Sequence, residues 1–69
     1  MRSVILNGLR YTQKMNQFKA ADVAGCSRAA YQIKEDEIER FTLGEAMRLC
    51  KFFGKTLNDM FGTDYSELN

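Results

Sequence analysis

The chain contains no histidine and no proline, and it has only two cysteines. Without histidine, zinc sites built from cysteine and histidine ligands are excluded. The sequence also lacks a glycine-rich phosphate loop and a nucleophile with a base beside it, so we expect no enzyme activity, no metal and no cofactor. The absence of proline removes the strongest helix breaker from the whole chain.

Long apolar segments are also absent. No run approaches the roughly 20 apolar residues that cross a bilayer, so we expect no membrane partner. The two cysteines, Cys26 and Cys50, together with the lack of a secretory signal, fit a reducing cytoplasm. We interpret both as small buried apolar residues, and a disulfide between them is the open alternative.

The 69 residues are enough for one domain, which we assign to residues 1–62, followed by a short flexible tail at 63–69. The net charge of +1 conceals a strong polarity along the chain. Residues 1–34 hold six basic residues against one acidic residue, whereas residues 35–69 hold four basic residues against eight acidic ones. The basic half suits a polyanion, and the acidic half suits solvent or a protein partner.

Capping residues and helical spacing divide the chain into five short helices with no strand pattern. The predicted helices are 3–14, 17–24, 27–35, 43–53 and 57–61. A polar stretch at 36–41 is predicted to be a loop. The sequence therefore predicts a compact all-α domain of five helices.

The apolar faces of two helices can be assigned from spacing. In the second helix, Ala20, Ala21 and Ala24 form a face of small side chains that lets another helix approach closely, with Phe18 or Val23 adding bulk beside it. In the fourth helix, spacings of three and four residues predict one apolar face. That face comprises Leu43, Ala46, Met47, Cys50 and Phe53.

The second and third predicted helices are separated only by Gly25, Cys26 and Ser27. Glycine adopts a left-handed backbone without steric cost after a helix, and serine caps the helix that follows. A helix, a short glycine-containing turn and a serine-capped helix are typical of a helix-turn-helix.

In the order of these motifs, the chain resembles the Xre/Cro family of phage and bacterial repressors. The match runs without a gap from Leu6 to Phe61. The family's signature positions are matched by Leu6, Leu9 and Arg10, by Asn16-Gln17, by Ala21 and Gly25-Cys26-Ser27, by the Leu43–Gly54 segment, and by Leu57, Met60 and Phe61. The resemblance implies a lambda-repressor-like fold that lays its third helix in the DNA major groove. It also implies a homodimer on an operator with two-fold symmetry.

At about 100° per residue, one face of the third helix carries Arg28, Ala29, Gln32 and Ile33. Arginine can donate two hydrogen bonds to guanine, and glutamine can pair with adenine. We therefore expect Arg28 and Gln32 to read bases, and Ala29 and Ile33 to contact thymine methyl groups. For Ile33, packing in the core is the alternative, and Tyr31 on the opposite face is expected to point inward.

Phosphate contacts are expected from a second set of residues. Gln17 lies at the start of the second helix, where free N–H groups favour an anion. Ser27 lies at the start of the third helix and could contact a phosphate there in addition to capping the helix. Basic side chains would add diffuse attraction. The full set is Gln17, Ser27, Lys14, Lys19, Lys34 and Arg40.

The segment Asp36-Glu37-Ile38-Glu39-Arg40 departs from the family, which often carries basic residues there. Its carboxylates would repel phosphate, and Arg40 is its only basic residue. Our hypothesis is a sequence-specific transcriptional regulator, a phage-type repressor or Cro-like switch protein. The alternative is a protein-interaction module, an antirepressor or antitoxin, that would bind a second regulator through the acidic half and exposed phenylalanines such as Phe52 and Phe61.

Overall fold

The structure, a computed structural model, describes residues 1–62; the predicted tail at 63–69 lies outside the described residues. Residues 1–62 form α-helices and one short 3-10 helix, η1, and contain no strand. The helices are α1 (Val4–Thr12), α2 (Gln17–Ala24), α3 (Arg28–Asp36), η1 (Ile38–Arg40), α4 (Leu43–Phe53) and α5 (Leu57–Phe61). The predicted all-α architecture is confirmed, with α1 ending two residues earlier than expected.

Each α-helix begins at a residue whose side chain accepts a hydrogen bond from the third backbone N–H of that helix. The capping residues are Ser3, Asn16, Ser27, Thr42 and Thr56. Such caps satisfy N–H groups that have no partner inside the helix, and each contributes about 1 kcal/mol. The five helix starts therefore follow from local sequence.

The core lies where α2 packs against both α3 and α4. Ala20, Ala21 and Ala24 are buried there, as their small size predicts. Tyr31 is fully buried and points inward, and its ring begins an edge-to-face series with Phe41 and then Phe61, each pair 5.7 Å apart between centroids. These rings connect α3, the segment after η1 and α5.

Of the two side chains expected to add bulk beside the alanines, Val23 packs against the core and Phe18 is 65% exposed. Two expectations about the core need correction. On α4, Leu43 and Met47 are 41% and 54% exposed, and Leu49 takes their place in the core. Met47 lies about 100° around the helix from the fully buried Ala46, which places it beyond the edge of the packed face.

The polar stretch at 36–41 is also more ordered than expected. It contains η1, and its two apolar residues, Ile38 and Phe41, are buried. Both cysteines are free thiols; Cys50 is buried and Cys26 is half-buried, so the disulfide alternative is wrong.

Candidate nucleic-acid interface

The turn between α2 and α3 is fixed by close contact with α4. Gly25 has φ of 87°, and a Cβ built on it would lie 3.0 Å from a guanidinium nitrogen of Arg48. Arg48 also donates from Nε to the Ala24 carbonyl oxygen at 2.8 Å. A side chain at position 25 would therefore be strained and would displace the arginine that joins α4 to the end of α2.

The outward face of α3 is open to solvent. Arg28, Ala29, Gln32 and Ile33 are all exposed. Ile33 is 53% exposed, so the alternative of core packing is wrong for this residue. The face begins at the first residue of the helix, next to the Ser27 cap, and no acidic side chain of the 36–39 segment bonds to it.

A cluster of four polar side chains joins α1, α2 and α3 beneath this face, and Glu35 is its centre. Arg10 forms a two-pronged ion pair with the Glu35 carboxylate, at 2.8 Å from Nε and 3.0 Å from the terminal nitrogen. Tyr31 donates its hydroxyl to the same carboxylate at 2.8 Å, and Gln17 donates its amide at 3.1 Å. Both charged side chains are about nine-tenths buried.

Burial alone would raise the pKa of the Glu35 carboxyl, but the hydrogen bonds from Arg10, Tyr31 and Gln17 outweigh it and hold that pKa below its ordinary value. Burial and the same carboxylate raise the pKa of the Tyr31 hydroxyl, so it remains protonated and a donor. The cluster therefore stays charged near neutral pH and fixes α2 relative to α3.

Two of the residues expected to contact phosphate are partly buried and already bind carboxylates of the protein. Lys34 lies 2.8 Å from both carboxylate oxygens of Glu45, and only a fifth of its side chain is exposed. The charge of Lys34 is therefore already paired with α4, which leaves little of it for a phosphate. Gln17 is half-buried and uses one amide N–H in the Glu35 cluster, which leaves its second N–H.

The acidic residues at 36–39, where α3 ends, are paired with the protein's own cations. Arg2 pairs with Asp36 at 2.9 Å, Arg40 pairs with Glu37 at 3.3 Å, and the N-terminal ammonium pairs with Glu39 at 2.9 Å. These exposed pairs contribute little to stability, but they reduce the repulsion of phosphate expected from the sequence. Because Arg40 is held by Glu37, its charge is shared rather than fully available to a phosphate.

Lys14, Lys19 and Ser27 remain exposed, as their phosphate role requires. Across residues 1–62, neither Lys14 nor Lys19 lies within ion-pair distance of a carboxylate. Ser27 accepts a hydrogen bond from the Ala30 N–H in its cap, and its hydroxyl can still donate.

Sequence reasoning missed an aromatic side chain beside the α3 face. The Arg28 guanidinium carbon lies 4.8 Å from the centre of the exposed Phe18 ring. Spacing within α2 leaves Phe18 and Val23 as alternatives for the bulk beside the alanine face, and nothing in that pattern indicates that the Phe18 ring meets Arg28.

No protein-family model, curated protein or solved structure matches this chain. Among the described residues, no helix has the length and apolar character that a bilayer crossing needs. The functional assignment therefore depends on the geometry of the site.

Proposed function

We propose that this protein is a sequence-specific DNA-binding transcriptional regulator of the helix-turn-helix type, and that α3 enters the major groove. The observation that carries the proposal is the exposed face of Arg28, Ala29, Gln32 and Ile33, which starts at the N-terminus of a helix preceded by a three-residue turn. Recognition helices place the residues of their first turns against base edges. The free edge of a guanidinium fits guanine O6 and N7, and the Gln32 amide fits adenine N6 and N7.

The charge distribution supports the same partner. The carboxylates of Glu35, Asp36, Glu37 and Glu39 are paired with cations of the protein, whereas Lys14, Lys19 and Arg28 have no such partner within residues 1–62. Lys14 and Lys19 flank the N-terminus of α2, and Arg28 begins α3. Unpaired cations at helix N-termini favour phosphates on either side of the groove. The overall charge of the protein is nearly neutral, so we expect its DNA binding to rest on local geometry. Each contact with a phosphate releases counterions, so we also expect the affinity to fall steeply with salt.

More specifically, we propose that the protein is a repressor or Cro-like switch protein that acts in the cytoplasm as a homodimer on a palindromic operator. A dimer reads two half-sites about one helical turn apart, roughly 34–36 Å. The half-site spacing therefore tests whether the protein binds as a homodimer. Sedimentation of the protein with and without duplex measures the stoichiometry separately.

Selection from a random duplex pool followed by footprinting tests the proposal. We expect a defined site and a binding constant that falls linearly with salt on a log–log plot. Arg28→Ala should weaken binding by about 1–3 kcal/mol and relax base preference at one position. Lys55→Ala is the matched control, because it removes one exposed positive charge outside α2 and α3.

A protein-interaction module is the second candidate, and one observation favours it. Leu43 and Met47 are exposed on α4 beside Lys51, so α4 offers an apolar surface with a basic rim. Phe52 is also exposed, whereas Phe61 is buried and is unavailable to a partner. If no duplex binds at low salt and the protein co-purifies with a second regulator, an antirepressor or antitoxin role replaces DNA binding.

A further inference from the structure

Phe18 and Arg28 form an exposed aromatic–cation pair across the turn that joins α2 to α3. Phe18 is the second residue of α2, and Arg28 is the first residue of α3. The guanidinium carbon lies 4.8 Å from the ring centre, within the range of a cation–π interaction. About two thirds of the Phe18 surface stays in solvent, so the ring is not held there by the core.

We propose that Phe18 is a specificity-determining positioning residue, which holds the Arg28 guanidinium in the orientation that reads guanine. The inference rests on the proposed DNA-binding function and adds a residue that lies outside the recognition helix. Its basis is the juxtaposition of an exposed ring with the arginine at the start of α3.

A cation–π contact is suited to this role because it holds the guanidinium over the ring without a hydrogen-bond acceptor that would occupy its N–H donors. The hydrogen-bond donors of arginine lie in the plane of the group, and guanine O6 and N7 bind that edge. A side chain held in one orientation before binding loses less conformational freedom when it binds. The contact also strengthens when the duplex excludes water, since cation–π attraction is larger in a desolvated site.

Tyr11 provides a matched control within the same chain. Its ring is also largely exposed and also lies under an arginine, with the Arg10 guanidinium carbon 4.9 Å from the ring centre. That pair belongs to α1 and to the Glu35 cluster rather than to the α3 face. Tyr11→Leu therefore removes an exposed ring that contacts an arginine without altering Phe18 or Arg28.

The test measures affinity for the duplex recovered from the random pool and for the same duplex with adenine in place of the guanine assigned to Arg28. Phe18→Leu should weaken binding to the guanine duplex by about five- to tenfold and reduce the preference for guanine over adenine. Phe18→Tyr keeps the ring and should retain both affinity and preference. Tyr11→Leu should leave both unchanged, and thermal unfolding should show that all variants fold.

A double-mutant comparison separates positioning from a direct contact. In an Arg28→Ala background, Phe18→Leu should cause no further loss, because the residue it positions is gone. Equal losses in the two backgrounds, or a uniform loss on both duplexes, would overturn the proposal while leaving the DNA-binding function intact. Failure of the unchanged protein to bind any duplex would instead refute the proposed function, and this inference with it.

A measurement without DNA checks the geometry itself. The Arg28 side-chain proton resonances should be shifted upfield by the ring in the unchanged protein, and Phe18→Leu should abolish that shift. Tyr11→Leu should not affect it. An Arg28 signal that is insensitive to Phe18→Leu would contradict the cation–π contact, whatever the binding data show.

Discussion

Replacing Arg10 by methionine should convert the Glu35 cluster from a stabilising feature into a pH-dependent defect. Arg10→Met leaves the Glu35 carboxylate nine-tenths buried, with hydrogen bonds from Tyr31 and Gln17 but without a counter-ion. Breaking a buried ion pair by removing one partner costs about 3–5 kcal/mol. We expect a value near 3 kcal/mol, because two neutral donors remain.

That loss is large for a domain of this size. At about 0.05–0.15 kcal/mol per residue, the free energy of unfolding is about 3–10 kcal/mol. A shift of 1 kcal/mol moves the melting temperature of such a domain by about 4–8 °C, so Arg10→Met should lower it by about 12–24 °C. Urea unfolding followed by circular dichroism, a probe that needs no tryptophan, measures the free energy directly.

The dependence on pH distinguishes this explanation from simple loss of packing. In the unchanged protein the pKa of Glu35 is depressed, so its stabilisation is complete above its unfolded pKa of about 4.3 and is lost as the pH falls through the folded value. In Arg10→Met, burial without the guanidinium should raise that pKa instead. Stability of the variant should then fall as the pH rises, and the gap between the two proteins should be widest near pH 7 and narrow towards pH 4.

A double variant provides the control. Arg10→Met with Glu35→Gln removes the buried charge, while the amide oxygen can still accept from Tyr31, so it should recover most of the lost stability and show no titration of this site. If Arg10→Met costs less than about 1 kcal/mol at pH 7, or costs the same at pH 4 and pH 7, the reasoning about the cluster is wrong.

Three further predictions test the turn at Gly25, the phosphate contact of Lys19 and the ion pair of Lys34 with Glu45. Gly25→Ala should destabilise the protein by at least about 1 kcal/mol, because the backbone is left-handed there and the added carbon meets Arg48 at 3.0 Å. Gly8→Ala is the control: no atom lies within 4 Å of the added carbon, so this change should stabilise the protein by about 0.5–1 kcal/mol. Thermal unfolding measures both effects. Lys19→Ala should weaken binding equally on all duplexes and reduce the log–log salt slope by about 0.9, whereas a sequence-dependent loss would show that Lys19 reads bases. Lys34→Ala should lower stability in urea unfolding but leave that slope unchanged, because its charge is paired with Glu45, and a reduced slope would show that Lys34 contacts a phosphate.

The helices and their starting points could be predicted from the sequence because their causes are local. Each cap depends on a side chain and an N–H three residues away, and the turn at Gly25 depends on the backbone freedom of one residue. Helical geometry likewise predicted which residues share the α3 face, although it left the exposure of Ile33 open. These features need no knowledge of which elements pack together.

The parts that could not be predicted depend on contacts between distant residues. Arg10 and Glu35 are 25 residues apart, and no pattern within either helix indicates that they meet. Lys34 has the charge expected of a phosphate contact, but its partner Glu45 lies on another helix. Phe18 and Val23 were alternatives for the bulk beside the alanine face of α2, and only the packing of α2 decides between them: Phe18 is exposed, about 120° around the helix from the fully buried Ala24.

Guanine methylation interference tests most directly whether the α3 face reads the major groove. Methylation at N7 blocks the atom that an arginine edge would contact. With the duplex recovered by selection, the account predicts interference at a defined guanine for the unchanged protein and its loss at that guanine alone for Arg28→Ala. Identical interference patterns for the two proteins, or no interference at any guanine N7, would contradict it.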